Sequence, residues 1–306
     1  MPNTELHGIA ALEHLGVIRA TGEDAVKFLH GQLTQDLALL PVGQARLAAL
    51  CSPKGRMLAS FVLVKHSQEE VWLVCSRDLL APTLKRLSMF VMRAKARLVD
   101  ASTELRVYGL LGSAQIAHPA GASAAPWSAV AVDSAHAVQL YPAGDTGRQL
   151  WVGPAELAPP QGTPVSAQDW ACSEVASGVA TVSAPLVELF VPQMLNYESI
   201  GGVSFKKGCY PGQEVVARSQ FRGTLKRRTY LARSSAPLQA AQELYAAGDL
   251  EQPVGVVVQA ASLPDGAVLA LLCLQISADM GSLCTQEKPD LKISVLELPY
   301  ALLEDI

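Results

Sequence analysis

The sequence of 306 residues has little charge and few aromatic residues. Charged side chains make up 17% and aromatic ones 6%, whereas hydrophobic residues make up 50%. A chain this apolar is not globally disordered, and its length predicts two or three domains at about 100 to 200 residues each. Long hydrophobic runs are also missing. The longest, AVLALLCLQI at 267–276, is short of the roughly 18 residues that cross a membrane, so we expect no membrane partner.

The N-terminal MPNTELHGIA has no basic region followed by an apolar stretch, so we expect no secretory signal and a cytoplasmic location. The six cysteines form no C-x-x-C pair and no Cys/His cluster at zinc spacing, so we expect no metal site. Cys75 and Cys273 lie within apolar runs, where a thiol behaves as a small core side chain. Only Cys209 has charged neighbours and a motif around it.

The formal net charge is −4, which gives the whole molecule no attraction to nucleic acid. Charge is distributed unevenly, however. Residues 206–230 carry seven basic side chains and the single acid Glu214, and seven minus one leaves a local charge of +6. The basic residues are Lys206, Lys207, Arg218, Arg222, Lys226, Arg227 and Arg228. This basic segment predicts a surface that attracts an anion.

The first part of the chain mixes helical and strand patterns. Phe28, Leu29, Leu33 and Leu37 recur at helical spacing behind a Gly-Glu-Asp start, which predicts a helix within 22–37. Further predictions are strands at 46–50, 57–64, 70–76 and 103–112, and a helix within 79–98 after its proline. This β-β-β-α order predicts an α+β layer.

The second part of the chain is rich in strands. Segments dense in Ala, Pro and Gly at 113–128 and 154–168 predict loops. From residue 224 short β-rich runs follow one another, and the Asp-Gly at 265–266 between two of them indicates a hairpin. A small C-terminal barrel or sandwich is the prediction.

The stretch KKGCYPGQEVVARSQFRG at 206–223 concentrates turn formers and basic residues. Its Tyr-Pro-Gly-Gln at 210–213 fits a type II turn, in which proline fixes φ and glycine accepts a positive φ. Alternatively the proline opens a short helix over 211–223, in which Glu214 and Arg218 pair at i, i+4.

Both alternatives place Cys209 at a sharp, exposed change of direction. Two lysines precede the thiol and backbone donors follow it, which favours the thiolate. A turn cysteine without a chemical role fits the same residues. No histidine is close in sequence, and His30 is more typical of a structural imidazole than of a catalyst, so a Cys-His hydrolase is not predicted.

Two features indicate a pocket elsewhere. ELFVPQMLNYESIGGVSF at 188–205 mixes apolar anchors with polar side chains, which suits a pocket wall or a surface loop. Trp170 follows a polar loop, where either core burial or a flat wall for a stacked ring is compatible with the sequence.

Residues 205–218 resemble the signature of the YgfZ family, F-x-K-G-C-Y-x-G-Q-E-x-x-A-R. The matching positions are Phe205, Lys207, Gly208, Cys209, Tyr210, Gly212, Gln213, Glu214, Ala217 and Arg218. TGEDAVKFLHGQLTQD, SPKGRMLASF, FVPQMLN and LELPYALLED are similar to other family segments, so that only about 100–165 is without a counterpart. The family consists of folate-binding relatives of the glycine-cleavage T protein that assist iron-sulfur enzymes.

The resemblance implies an α+β fold of three domains in a T-protein-like ring around a central folate pocket, with a C-terminal β-barrel. For this chain it implies a discontinuous folate-binding core at 1–45 plus 165–222, a ferredoxin-like α+β domain at 46–164 and a barrel at 223–306. The implied cofactor is tetrahydrofolate or a derivative, and its consumption is left open. Trp170 and Leu15 fall where two family tryptophans help to hold the folate.

The T protein transfers an aminomethyl group to folate with an aspartate that follows a Gly-Gly segment. At the corresponding positions, 54–59, this chain reads KGRMLA, which contains no acid. An apolar residue cannot accept the proton in that reaction. We therefore do not expect aminomethyl transfer.

The resemblance implies a folate-binding accessory protein that supports synthesis or repair of 4Fe-4S enzymes, including a radical enzyme that modifies tRNA. Cys209 is the expected functional thiol, with Lys207, Tyr210, Gln213, Glu214 and Arg218 around it. Expected partners are folate, through its polyglutamate tail among other contacts, iron-sulfur client enzymes, and tRNA weakly through 206–228.

An alternative is a folate-dependent one-carbon transferase that acts on a nucleic acid or a protein, and a third is a purely structural role. The first two hypotheses expect the Cys209 thiol at the mouth of the folate pocket.

Overall fold

The structure, a computed structural model, describes residues 6–120, 123–223 and 225–303. Up to residue 154 the elements are β1 (Gly8–Ala11), β2 (Leu15–Thr21), α1 (Ala25–His30), β3 (Ala45–Cys51), β4 (Met57–Lys65), β5 (Glu70–Ser76), α2 (Arg77–Val91), β6 (Arg97–Asp100), β7 (Leu105–Leu111), β8 (Ala129–Val132), β9 (Ala135–Gln139) and β10 (Arg148–Pro154). The later elements are α3 (Ala167–Ala176), α4 (Gln213–Phe221), β11 (Arg227–Ser234), β12 (Glu243–Ala246), β13 (Gly255–Ser262), β14 (Val268–Gln275), β15 (Leu283–Cys284) and β16 (Ile293–Leu296).

These strands form three antiparallel sheets. The first sheet has the order β3-β4-β5-β2-β6, the second β1-β7-β10-β9-β8, and the third β15-β12-β13-β14-β11-β16. Because β2 pairs with β5 and β6, the first sheet joins strands from either side of residue 45. The domain boundaries expected at 45, 164 and 222 stay a prediction.

The third sheet is nearly closed and barrel-like, in agreement with the predicted C-terminal barrel or sandwich, and the chain as a whole has an α+β fold. The predicted Asp-Gly hairpin is present, since β13 and β14 pair on either side of it. None of the helices in the described ranges combines the length and the apolar composition needed to cross a bilayer.

The helix predicted within 22–37 is shorter than expected, because α1 ends at His30. Leu33 instead makes a bridge to Leu50 in β3. The Thr34 hydroxyl donates to the carbonyl of Gly202 at 2.7 Å and accepts from the amide of Ala49 at 2.8 Å. The apolar positions are buried as expected, but strand pairing and side-chain hydrogen bonds override their helical spacing.

The helix predicted within 79–98 is also displaced. α2 begins at Arg77, before Pro82 rather than after it, and ends at Val91. The sequence from Arg97 onward leaves the helix and forms β6, because pairing with β2 satisfies its backbone groups.

The apolar run in β14 is explained by two cores. Side chains of a strand point alternately to opposite faces. On one face Leu269, Leu271 and Cys273 join the large core that extends through the first two sheets. On the other face Leu272 and Leu274 join the interior of the third sheet. The strand is buried on both faces and therefore has no polar alternation.

Candidate functional site

The signature segment forms a turn followed by a helix, so both local alternatives are partly right. The amide of Gln213 donates to the carbonyl of Tyr210 at 3.1 Å. Gly212 has φ 79° and ψ 2°, the values of the third position of a type II turn. α4 then starts at Gln213, directly after the turn, and carries the expected pair of Arg218 with Glu214 at 2.7 Å.

Gly212 is required by packing as well as by its φ. A Cβ at this position would lie 2.4 Å from the carbonyl oxygen of Ser52. Gly55, at φ 71°, packs equally closely against Val215, whose Cβ would lie 2.8 Å from an added Cβ. The signature therefore packs against the Ser-Pro-Lys-Gly turn at 52–55, which fixes the direction in which the preceding loop runs.

Lys207 is buried, although its neighbour Lys206 is exposed. Its ammonium donates to the carbonyl of Leu33 at 3.0 Å and lies 4.6 Å from the ring centroid of Tyr210. Burial lowers the pKa of Lys207 to about 8, against the opposite effects of Asp36 and Cys209. Near neutral pH this amine therefore exchanges its proton more readily than an ordinary lysine.

Cys209 is exposed, Cys172 is half-buried, and the other four cysteines are buried. The structure brings His30 to this loop, which the sequence did not predict. A Cβ on Gly208 would lie 3.9 Å from His30 Nε2, and His30 Nδ1 lies 3.3 Å from a carboxylate oxygen of Asp36. Burial, and Lys207 to a smaller extent, lower the pKa of His30. Cys209 thus has a lysine and an imidazole in its neighbourhood.

The basic segment presents fewer exposed, unpaired cations than its composition suggests. Lys207 and Arg228 are buried, and Arg228 pairs with Glu198 at 2.7 Å. Arg218 is exposed but paired with Glu214. The exposed or half-exposed cations that remain are Lys206, Arg222, Lys226 and Arg227.

A cavity lies between the first sheet, the second sheet and α3. It has about 590 Å³ of atom-free space, its opening to solvent included, and little of that is wide enough for a water molecule. Leu15 and Trp170, which are far apart in sequence, both line it. None of the signature residues 205–218 is among its lining residues. Cys209 is therefore not part of the cavity wall, because the signature packs on the 52–55 turn, and its expected position at the mouth of a folate pocket stays a prediction.

Trp170 is a core side chain rather than an open stacking wall. It is 1% exposed. The guanidinium of Arg148 lies 4.7 Å from its ring centroid. A Cβ on Gly109 would lie 2.2 Å from the ring, so the backbone of β7 is also packed against it. The buried indole Nε1 has no hydrogen-bond partner in the described part of the chain, which leaves a donor for a ligand.

Arg148 is the buried cation of this cavity. Its Nε donates to the Ser173 hydroxyl at 3.0 Å and its Nη1 to the Tyr141 carbonyl at 3.3 Å. Burial lowers the pKa of Arg148 to about 10, and Glu174 acts in the opposite direction. A buried guanidinium with neutral partners is suited to an anionic or carbonyl group of a ligand.

Glu174 lines both the cavity and a neighbouring cleft that reaches the third sheet. Its carboxylate lies 3.4 Å from His14 Nε2, and that hydrogen bond raises the pKa of His14 despite partial burial. Trp127 and Tyr141 add aromatic rings to the wall, 5.9 Å apart between centroids. The wall thus offers a cation, a carboxylate and aromatic surface, a combination suited to a small polar ligand with a flat ring.

Comparison with known proteins identifies the family. The GCVT N-terminal domain family model matches residues 4–117. The tRNA-modifying protein YgfZ of Cronobacter sakazakii is 30% identical over 316 residues, which cover 97% of this chain and 94% of that protein. The chain belongs to the YgfZ family. The tRNA-modifying protein YgfZ of Escherichia coli O127:H6 is 28% identical with the same coverage.

The YgfZ fold extends to a distant relative. The glycine cleavage system aminomethyltransferase T of Bartonella henselae matches with a TM-score of 0.68 at 16% identity, over 97% of this YgfZ-family chain and 87% of that one. Such low identity supports the shared fold alone.

Among the described residues, no group of three or more His, Cys, Asp or Glu side chains comes together as a metal site.

Sequence reasoning missed Arg148, Glu174, Trp127 and Tyr141 in this YgfZ-family cavity. Arg148 had one sequence signal, since it opens the apolar strand RQLWVG as a charged residue at a buried position. The other three lie in segments of ordinary composition, and only the fold brings them together.

Proposed function

We propose that this protein is a folate-binding accessory factor in tRNA modification. It supports synthesis or repair of 4Fe-4S enzymes, including a tRNA-modifying radical enzyme, and Cys209 is its functional thiol. The observation that carries the proposal is a complete YgfZ signature on a chain alignable over 97% of its length with proteins named tRNA-modifying. Its exposed Cys209 is accessible to a partner protein.

The residues at the cavity fit a folate. Arg148 would bind the ligand's carboxylate or pterin carbonyl, Glu174 would accept from the amino edge of the pterin, and Trp170 Nε1 would donate from the wall. Because little of the cavity is wide enough for water, we expect Trp127 and Tyr141 to move when a bicyclic ring enters.

The separation of thiol and cavity supports an accessory role over group transfer. One-carbon transfer requires the acceptor and the folate within reacting distance, about 3–3.5 Å. Cys209 is not among the cavity-lining residues, and the turn at 52–55 and its continuation carry no acid up to residue 68. A folate that is bound for regulation or protection needs no such contact.

A deletion strain of the source organism, complemented with variants, tests the proposal. We expect wild type to restore iron-sulfur enzyme activity and tRNA modification, and Cys209→Ala to fail. Calorimetry should show that Cys209→Ala binds 5-formyltetrahydrofolate as wild type does, because the thiol does not line the cavity.

The matched control is Cys172→Ala, since Cys172 is the half-buried cysteine and its thiol donates to the Ser262 carbonyl at 3.1 Å. It should complement fully. Complementation by Cys209→Ala would remove the thiol from the mechanism, and absence of heat with reduced folates would remove the cofactor. Loss of a folate-consuming turnover in Cys209→Ala would favour the one-carbon transferase.

A further inference from the structure

The end of α2 and the loop after it form a second basic surface, separate from the signature. Residues 79–98 contain five basic side chains and no acid, for a local charge of +5 on a chain of net charge −4. The five are Lys85, Arg86, Arg93, Lys95 and Arg97, and all are exposed or half-exposed. We call residues 85–97 the basic end of α2.

Large apolar side chains lie among these cations. Met89 is 58% exposed, Phe90 49% and Met92 86%. The guanidinium of Arg86 lies 6.0 Å from the Phe90 ring centroid. An exposed aromatic ring beside basic side chains is the combination on which proteins stack unpaired bases while they neutralise phosphates.

The packing of α2 does not explain this exposure. The helix buries Leu79, Leu80, Thr83 and Leu87 against its own sheet. At 100° per residue Phe90 continues this face, close to the line of Leu79 and Thr83, but it lies in the last turn of the helix and is 49% exposed. Met89 lies on the side of the helix away from the sheet. An interfacial membrane helix needs a continuous apolar face for the bilayer, which α2 does not have free.

The basic end of α2 is linked to the signature through α1. Asp24, just before α1, exchanges backbone and side-chain hydrogen bonds with the Lys95 backbone at 2.9 and 3.2 Å. His30, the last residue of α1, lies beside Gly208 in the signature loop. A helix of six residues is about 9 Å long. The basic end of α2 and the signature loop are therefore close enough for one arm of a tRNA to contact both.

We propose that the basic end of α2 binds a single-stranded loop of tRNA, with its cations on phosphates and Phe90 stacked on a base. This inference rests on the proposed role in tRNA modification and names the contact surface. Lys95 pairs with Glu23, and the four other cations, with no acid within residues 79–98, favour a polyanion such as RNA over a protein partner by charge complementarity. The segment 206–228 also has four exposed or half-exposed cations outside its ion pairs. Its exposed aromatic ring, Phe221, packs on Phe205 at 5.3 Å between centroids, which makes it the weaker candidate for stacking on a base.

Binding of fluorescent unmodified tRNA to the full-length protein, measured over a salt series from about 50 mM, tests the surface. Lys85→Ala/Arg93→Ala should lower affinity by about tenfold or more and reduce the slope of log affinity against log salt by about 2. The matched control, Lys288→Ala/Lys292→Ala, removes two exposed cations from the third-sheet region and should bind as wild type.

Variants of Phe90 separate the contribution of base stacking to tRNA affinity from that of charge. Phe90→Ala and Phe90→Leu should each lower affinity by about tenfold without changing the salt slope, whereas Phe90→Tyr should retain it. Circular dichroism of each variant checks that α2 is folded.

Three outcomes would overturn the proposal: tRNA affinity of the double variant equal to wild type, no tRNA binding by wild type at low salt, or loss of complementation with tRNA affinity intact, which would indicate a protein partner. The proposal would also fail if the double variant lost binding to phosphatidylglycerol vesicles but kept its tRNA affinity, because the surface would then bind a membrane. Each would leave the folate and Cys209 experiments unaffected, so failure here is distinguishable from failure of the accessory role.

Discussion

The basic segment at 206–230 and the cavity each contain one buried arginine, but the two guanidinium charges have different partners. Arg228, at the end of the basic segment, donates to the buried carboxylate of Glu198 at 2.7 Å and to the carbonyl of Leu303 at 3.0 Å. Arg148, in the cavity, donates to a hydroxyl and a carbonyl and makes no ion pair with a described carboxylate. One charge is matched within the protein, and the other has only neutral direct partners.

This difference separates structural cations from binding ones. A buried charge that is fully paired joins parts of the fold, as Arg228 joins β11 to the segment before the signature. A buried guanidinium beside a cavity retains donor capacity for a ligand. The local excess of charge in the sequence pointed to the first region, although the second is better placed to bind a small anion.

Arg228→Ala is the largest expected effect. Glu198 is 6% exposed and its Oε2 already has no hydrogen-bond partner among the described residues. Removal of Arg228 leaves a buried carboxylate without its pair, which costs about 3–5 kcal/mol of unfolding free energy. Denaturant unfolding measures the loss.

The exposed neighbour Lys226 supplies the control, and Lys226→Ala should stay within about 0.5 kcal/mol of wild type. The double variant Arg228→Met/Glu198→Leu removes the buried carboxylate together with the arginine, so it should be more stable than Arg228→Ala. A loss below about 1 kcal/mol in Arg228→Ala would break the contrast between the two arginines.

Arg148→Met comes next and should act on binding rather than folding. Replacement of an incompletely paired buried cation by an apolar chain of similar length should change the unfolding free energy by about 1 kcal/mol or less. Loss of a charge-assisted hydrogen bond should weaken 5-formyltetrahydrofolate about 10- to 100-fold in calorimetry.

Two further measurements test whether Arg148 and Cys209 act independently of each other. Arg148→Met should retain an exposed, alkylatable Cys209, and Cys209→Ala should retain folate affinity. A large stability loss with unchanged folate affinity in Arg148→Met would make Arg148 a structural residue like Arg228.

The fold could be predicted from the sequence where the signal was local. Alternation and turn residues located β3, β4 and β5, and Asp265-Gly266 located the hairpin of β13 and β14. The patterns around Leu33 and Arg97 were misread, because each pairs with a strand distant in sequence, and helical spacing carries no information on such pairing.

The site residues, too, could be predicted where their signal was local in the sequence and not where distant segments meet. The signature was recognised because its residues are contiguous and its turn requires Gly212. Leu15 and Trp170 were reached through family resemblance. The cavity is lined by residues from many separated stretches, from β2 to residue 197, so Arg148 and Glu174 have no shared sequence pattern. His30 was set aside because sequence distance hides its contact with the signature loop.

The smallest expected effect is on pH dependence, and it compares the two regions by the groups that titrate there. Glu174 raises the pKa of His14 above 6.5, so the pair stabilises the fold fully below about pH 6.5 and the contribution fades as pH rises through the raised pKa. His14 is half-exposed, which limits the effect to less than about 1 kcal/mol. His14→Gln should therefore be less stable than wild type near pH 5.5 and equal to it near pH 8.5 in denaturant unfolding. Lys207, with a pKa of about 8, titrates in a higher window in the signature loop. A difference between His14→Gln and wild type that grows with pH would contradict the stabilising ion pair of His14 with Glu174 at the cavity rim.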